Sequence, residues 1–178
     1  GIISLPMSVI GQNDGKNLPI GMEAFEEAKA LNGVGAFHQL FDLPILENPQ
    51  IPDDSRCRLR LSLLEEELRE LREAIEQKDL VAVVDAFCDL QYVLSGAIHE
   101  FGLGSRFGEL FEEVQRSNMS KACNTLEEAK ATQEKYLRER NVVSEIVAKQ
   151  NLFLVYRQED RKVLKSLNYS PANLEKLL

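Results

Sequence analysis

The stretch from Leu59 to Ile98 constrains this chain more than any other, because it carries carboxylates where packed helices should have none. Its first part reads LRLSLLEEELRELREAI and its second LVAVVDAFCDLQYVLSGAI. At about 100° per residue, Leu64, Leu68, Leu71 and Ile75 share one apolar stripe of the first helix, and Glu66, Glu67 and Glu70 fan out along its flank. The second segment is apolar on nearly every side, the pattern of a helix buried all round. Yet Asp85 and Asp89 lie one turn apart on one face, its only charges between Val81 and Ile98. The break EQKDL, with Asp79 as a helix cap, makes the two helices antiparallel neighbours. Glu70 lies eight residues before Lys78 and Asp85 seven after it, so the two acid sets meet.

Like charges about 4 Å apart repel by roughly 4 kcal/mol at an effective dielectric near 20. A positive ion is therefore expected between them. Asp and Glu without neighbouring His or Cys make a hard oxygen site that suits Mg²⁺ or Mn²⁺, and Mg²⁺ commonly shares its shell with water and a phosphate-bearing substrate. Tyr92 lies on the same face as Asp85 and Asp89 and is a candidate to hydrogen-bond substrate or a carboxylate, as well as a candidate core aromatic. The plain alternative for residues 65–70 is a solvated charged face; for two aspartates in an apolar helix it is weaker, because burying unpaired charge is costly.

Elsewhere the pattern predicts a helix over 22–31 stopped at Asn32-Gly33, a short second helix over 34–41, and a Pro-rich connector over 43–54 ordered by Ile45, Leu46 and Ile51. Asp53, Asp54 or Ser55 caps the acidic helix. Ser105 caps a third long helix whose buried stripe is Phe107, Leu110, Phe111 and Val114, with Glu109, Glu112 and Glu113 toward solvent. Thr125 and Glu128 form a capping box for a helix to Asn141, and residues 152–164 read as a small β-hairpin. Residues 1–20, rich in turn formers, are expected to be irregular, 21–141 to form the helical domain, and 142–178 a hairpin and tail packed on it.

Three pieces in order, Glu66-Glu67-Leu68-Arg69-Glu70, the helix with Asp85 and Asp89, and Arg116-Ser117-Asn118-Met119-Ser120-Lys121, resemble the all-α nucleoside triphosphate pyrophosphohydrolases. These are the MazG-like proteins, related to phosphoribosyl-ATP pyrophosphohydrolase and to dimeric dUTP and dCTP pyrophosphatases. The resemblance runs over roughly residues 34 to 123. Where the family often has Glu-x-x-Asp in its second acidic helix, this chain has Ala86 three residues before Asp89 and carries the acid at Asp85. The tail Lys162-Val163-Leu164-Lys165-Ser166 with Tyr169 and Pro171 is similar to that of a family subset, whose members often have Gly where this chain has Arg161.

The resemblance implies an all-α antiparallel bundle with a C-terminal β-hairpin. It implies a metal-dependent enzyme that splits the α–β anhydride of a (d)NTP into a monophosphate and pyrophosphate, in nucleotide-pool house-cleaning, with a phosphoribosyl-ATP role in histidine biosynthesis as the alternative. Glu66, Glu70, Asp85 and Asp89 would then hold Mg²⁺ (or Mn²⁺), and Glu67 would position or deprotonate the water. Asn118 and Lys121 would bind phosphate oxygens, with Lys162 and Lys165 as helpers. Its members' habit of pairing implies a homodimer or tetramer.

A helical interaction protein is the alternative from another class. A ferritin-like oxidase is a poorer fit, because that site needs Glu-x-x-His pairs and neither His38 nor His99 follows a Glu by three residues. The net charge of -8 argues against a nucleic-acid polymer as partner. Cys57, Cys88 and Cys123 lack metal-type spacing, which suits a reducing compartment, with Cys88 expected inside the buried helix. With no segment read as a ~20-residue apolar span, the chain is expected to be soluble and cytoplasmic, away from membranes.

Overall fold

The computed structural model describes residues 18–178, so the reading of residues 1–17 lies outside the described part. Five helices, α1 (Ala30–Leu40), α2 (Asp54–Glu76), α3 (Leu80–Glu100), α4 (Phe107–Met119) and α5 (Leu126–Arg140), precede three strands. These are β1 (Ser144–Lys149), β2 (Leu152–Arg157) and β3 (Val163–Leu164) in one antiparallel sheet of order β1-β2-β3. The chain is thus mainly helical with a small C-terminal sheet. Residues 26–109, with Leu178, form one compact unit; residues 110–177, with 18–25, form the other.

In the first unit α2 and α3 pack as an antiparallel hairpin and α1 lies on α3. Each helix of the hairpin starts on an aspartate: Asp53 accepts from the Arg56 amide and Asp79 from the Ala82 amide, so both caps are the residue type that best satisfies orphan N–H groups. Lys78, in the left-handed region at φ 55°, makes the reversal between them. The Pro-rich connector is ordered, as Leu46 and Gln50 donate backbone hydrogen bonds to His99 and Phe101 at 3.0 Å. It passes so close that a Cβ on Gly102, itself at φ 72°, would lie 1.9 Å from the Asn48 carbonyl oxygen.

Several expectations for this unit are corrected. No helix spans 22–31; α1 begins at Ala30 and runs through Asn32-Gly33, because burying Val34 and His38 against α3 outweighs a local stop signal. His38 is only 2% exposed, with Nδ1 2.9 Å from the Pro44 carbonyl oxygen. The buried stripe of α2 is rotated from the apolar one: Leu68 and Ile75 are 52% and 56% exposed, while Arg60 and Ala74 are buried and Glu67 and Glu70 half-buried. Nor is α3 buried all round. Its C-terminal end is, but Leu80, Val81, Val84, Phe87, Leu94 and Cys88 are exposed, since α1 and α2 cover only one side. Among the described residues α3 is, by length and composition, apolar enough to cross a membrane, contrary to the reading of the sequence.

Helix α4 starts at Phe107, past Ser105. Leu110 is buried as expected, but Phe111 is exposed and Glu113 is buried, held by Arg116 at 2.6 Å and by the Asn173 amide at 2.9 Å. Thr125 caps α5 through the Glu128 amide, and Glu128 reaches back to the Asn124 amide. The expected hairpin of 152–164 exists as β2 and β3. It is joined by an unforeseen β1, paired from Ser144↔Arg157 to Lys149↔Leu152. The core of the second unit is Cys123, Ala129, Val155 and Leu164, so α5 packs on the sheet. Arg161 occupies φ 61°, a conformation that Gly adopts without strain.

Candidate active site

The α2–α3 hairpin brings Glu67, Glu70 and Asp89 together, with one carboxylate oxygen of each within 4.8 Å of the others. The register follows from the hairpin, whose other end aligns Arg60 with the Val93 carbonyl oxygen at 2.8 Å. Glu66 and Asp85 are exposed and stand outside this tight trio. Both still act on it electrostatically, Glu66 on Glu67 and Asp85 on Asp89. Tyr92, partly exposed, packs edge-on against Phe37 at 5.6 Å between ring centroids.

Charge crowding bears on Glu67 and Asp89. Glu67 is pushed up to about 7, first by burial, then by a shared hydrogen bond with Glu70 and by the charges of Glu70, Asp89 and Glu66. Burial, Asp85 and Glu70 raise Asp89 as well. Glu67 Oε2 is buried with no hydrogen-bond partner. A buried acceptor without a donor is costly, and here three acceptor groups converge with no salt bridge to neutralise them among the described residues. All-oxygen donors at this spacing fit a hard divalent cation such as Mg²⁺ or Mn²⁺.

Residues 34–118, just under half of the chain, match the family model of phosphoribosyl-ATP pyrophosphohydrolase. This segment is a domain of that family. It belongs with the MazG-like all-α NTP pyrophosphohydrolase superfamily, and it contains all five acids, Tyr92 and Asn118. An uncharacterized protein of Acanthamoeba polyphaga mimivirus is 32% identical over 84 residues, which are 47% of this chain and 30% of the viral protein. The chain thus spans less than a third of that relative.

Lys121, Lys162 and Lys165, which the resemblance assigns to phosphate oxygens, lie in the second unit, past the end of the matched segment. Lys121 is 3% exposed and donates to Asn118 Oδ1 at 3.2 Å. Lys165 stands over the Tyr169 ring at 4.7 Å. Lys162 is half-buried and follows the Asp160 turn, its amide donating to Asp160 Oδ1.

Inspection of the sequence alone missed the cluster that fixes the hairpin. Glu100, 1% exposed, pairs with Arg56 at 2.6 Å and with Arg60 at 3.1 Å. A signal was present: Arg56 precedes Glu67 by eleven residues and Glu100 follows Asp89 by eleven, three helical turns that keep each pair on one stripe. Gly96 makes room for it, since a Cβ there would meet Arg60 Nη2 at 2.0 Å. In the sequence Tyr169 stands out only as part of the C-terminal tail. It hydrogen-bonds Ser117, tying the tail to the Ser-Asn-Met-Ser-Lys phrase.

Proposed function

We propose that this chain is a divalent-metal-dependent nucleotide pyrophosphohydrolase that releases pyrophosphate from a nucleoside triphosphate. The observation that supports this best is the convergence of Glu67, Glu70 and Asp89 around a buried, unpartnered carboxylate oxygen. Glu70 and Asp89, with Glu66 and Asp85 beside them, would hold Mg²⁺ or Mn²⁺. Such an ion, when bound, offsets charge on phosphate oxygens and orients the anhydride.

Glu67 orients a water through its free oxygen and takes its proton. A carboxylate near 7 is well matched to that task. The water oxygen bonds to the α-phosphorus, the bond to the α–β bridging oxygen breaks, and that electron pair leaves on pyrophosphate. By the resemblance alone, Asn118 and Lys121 would hold non-bridging oxygens, Lys121 as a point charge. Tyr92 borders the base side.

Two substrate readings follow. House-cleaning of (d)NTPs is favoured by the Ser-Asn-Met-Ser-Lys phrase; hydrolysis of phosphoribosyl-ATP is favoured by the family model. We further propose that a second copy of this chain covers the exposed apolar side of the hairpin, where Leu61, Leu68, Val84, Phe87 and Leu94 would leave a large patch for a monomer. The test is pyrophosphate release from a panel of canonical and damaged (d)NTPs and phosphoribosyl-ATP with Mg²⁺ or Mn²⁺. Metal-dependent release, lost in Glu67→Gln and Asp89→Asn, supports the reading and names the substrate. No turnover on any of them points instead to a helical interaction protein with a structural ion site.

A further inference from the structure

The second unit holds a cavity of about 210 Å³ between the C-terminal half of α5 and the segment after β3. Lys135, Tyr136 and Arg140 line it from α5, and Lys165 and Tyr169 from the tail; Glu139 is its one acid. In a chain with eight more acids than bases, such a surplus of cations needs a physical reason.

The ion pairs of this unit sharpen the contrast. Arg116, Arg138, Arg157 and Arg161 each lie against a carboxylate. Arg140 is instead stacked over Tyr136, with its guanidinium 5.5 Å from the ring centroid. Lys165 sits 4.7 Å over Tyr169, and the buried Lys121 lies 5.9 Å from that same ring. Exposed cation–π contacts are weak, so they place these charges without neutralising them. The negative end of the α5 dipole favours Arg140, but it does not account for Lys165, which arrives from another segment. Tyr169 reports the same positive field: its hydroxyl is lowered by the Ser117 hydrogen bond and then by Lys165 and Lys121.

The walls are also held in place. The Ser166 amide donates to the Lys121 carbonyl at 2.9 Å, the Ser170 amide to Ser120 Oγ at 3.0 Å, and Arg116 to the Pro171 carbonyl at 3.3 Å. Pockets for whole drug-sized ligands start near 300 Å³. This cavity is smaller, and its cations suit a compact oxyanion better than a ring system.

We propose that the cavity lined by Lys135, Arg140 and Lys165 is a binding site for a phosphate or pyrophosphate group, built from this unit alone and needing no metal ion. The group is either part of a nucleotide substrate or a free phosphorylated molecule. The inference does not depend on turnover by the carboxylate trio.

The experiment is calorimetric titration of the whole chain with inorganic pyrophosphate and inorganic phosphate in EDTA, with tyrosine fluorescence as a second readout, since the chain has no Trp. Saturable binding at one site is expected. Arg140→Gln and Lys135→Gln should each weaken it at least about tenfold, while Glu67→Gln and Lys149→Gln leave it unchanged. No binding in EDTA overturns the proposal; so does an equal loss from Lys149→Gln, which would mean diffuse charge, or a loss confined to Glu67→Gln, which would place the anion at the carboxylates. Steady-state kinetics separate the two sources. A raised KM with kcat kept in Arg140→Gln identifies a substrate phosphate, and an unchanged KM with free pyrophosphate binding lost identifies a separate ligand.

Discussion

The α2–α3 hairpin contains two clusters of buried charge with opposite balance. At one end Glu100 is enclosed by Arg56 and Arg60, each of its oxygens close to a guanidinium. Three turns along, Glu67, Glu70 and Asp89 face one another with no salt bridge to any of them among the described residues. The first cluster pairs its acid with guanidinium groups within the chain and acts on the fold. The second is incomplete, and its cost to the free protein is the reason to look there for a ligand.

The largest effect that separates them is on activity. Glu67→Gln should lower kcat by about 10²- to 10⁴-fold while raising the Tm of the metal-free protein, because it removes a charge from the crowded trio; activity left intact would break the comparison. Glu100→Gln should do the converse. Taking one partner from a buried ion pair costs about 3–5 kcal/mol, readable as a lower midpoint in urea unfolding. A midpoint within error of the parent would mean that Arg56 and Arg60 find other partners.

A third effect sharpens the contrast through pH. Between the ordinary 4.5 and about 7 the folded chain keeps a proton on Glu67 that the unfolded chain has lost. Metal-free stability should therefore fall as pH rises through that window. Saturating Mg²⁺ should reverse the trend, since it competes with that proton; chemical unfolding at several pH values, with and without Mg²⁺, measures both slopes. Identical slopes would remove the trio as the ion site. The smallest effect belongs to the turn that aligns both clusters: Asp79→Ala should cost about 1 kcal/mol through the lost cap, and thermal unfolding would detect it.

The residues differ in how far they could be read in advance. Acids about two turns either side of a tight break lie near one another, so the meeting of the two acid sets followed from local rules, but the count that set Asp85 opposite Glu70 did not foresee Asp89 in its place. The rotation of α2 about its axis did not follow. Its most apolar stripe, with Leu68 and Ile75, lies outward, and the half-buried carboxylates lie inward. A hydrophobic pattern identifies a face that wants cover without saying which neighbour supplies it. The same ambiguity made α3 read as wholly buried, whereas Phe87 is 56% exposed.

The C-terminal unit shows the limit more sharply. Strand β1 contains Glu145 and Lys149 and reads poorly on its own; its pairing with β2 makes it a strand. The basic cavity joins Lys135 and Arg140 to Lys165 across some twenty-five residues of intervening chain, a juxtaposition without local periodicity.

What the sequence by itself determined was the helical class of the first unit, the caps at Asp79 and Thr125 and one among Asp53, Asp54 and Ser55, the α2–α3 hairpin and its acidic character. Those features arise from interactions within a few turns of chain. Only the tertiary structure decided which three acids share an oxygen cluster, that Glu100 closes on two arginines, and that Lys165 joins α5. Each of these depends on contacts between distant segments, whose free energy no local spacing encodes.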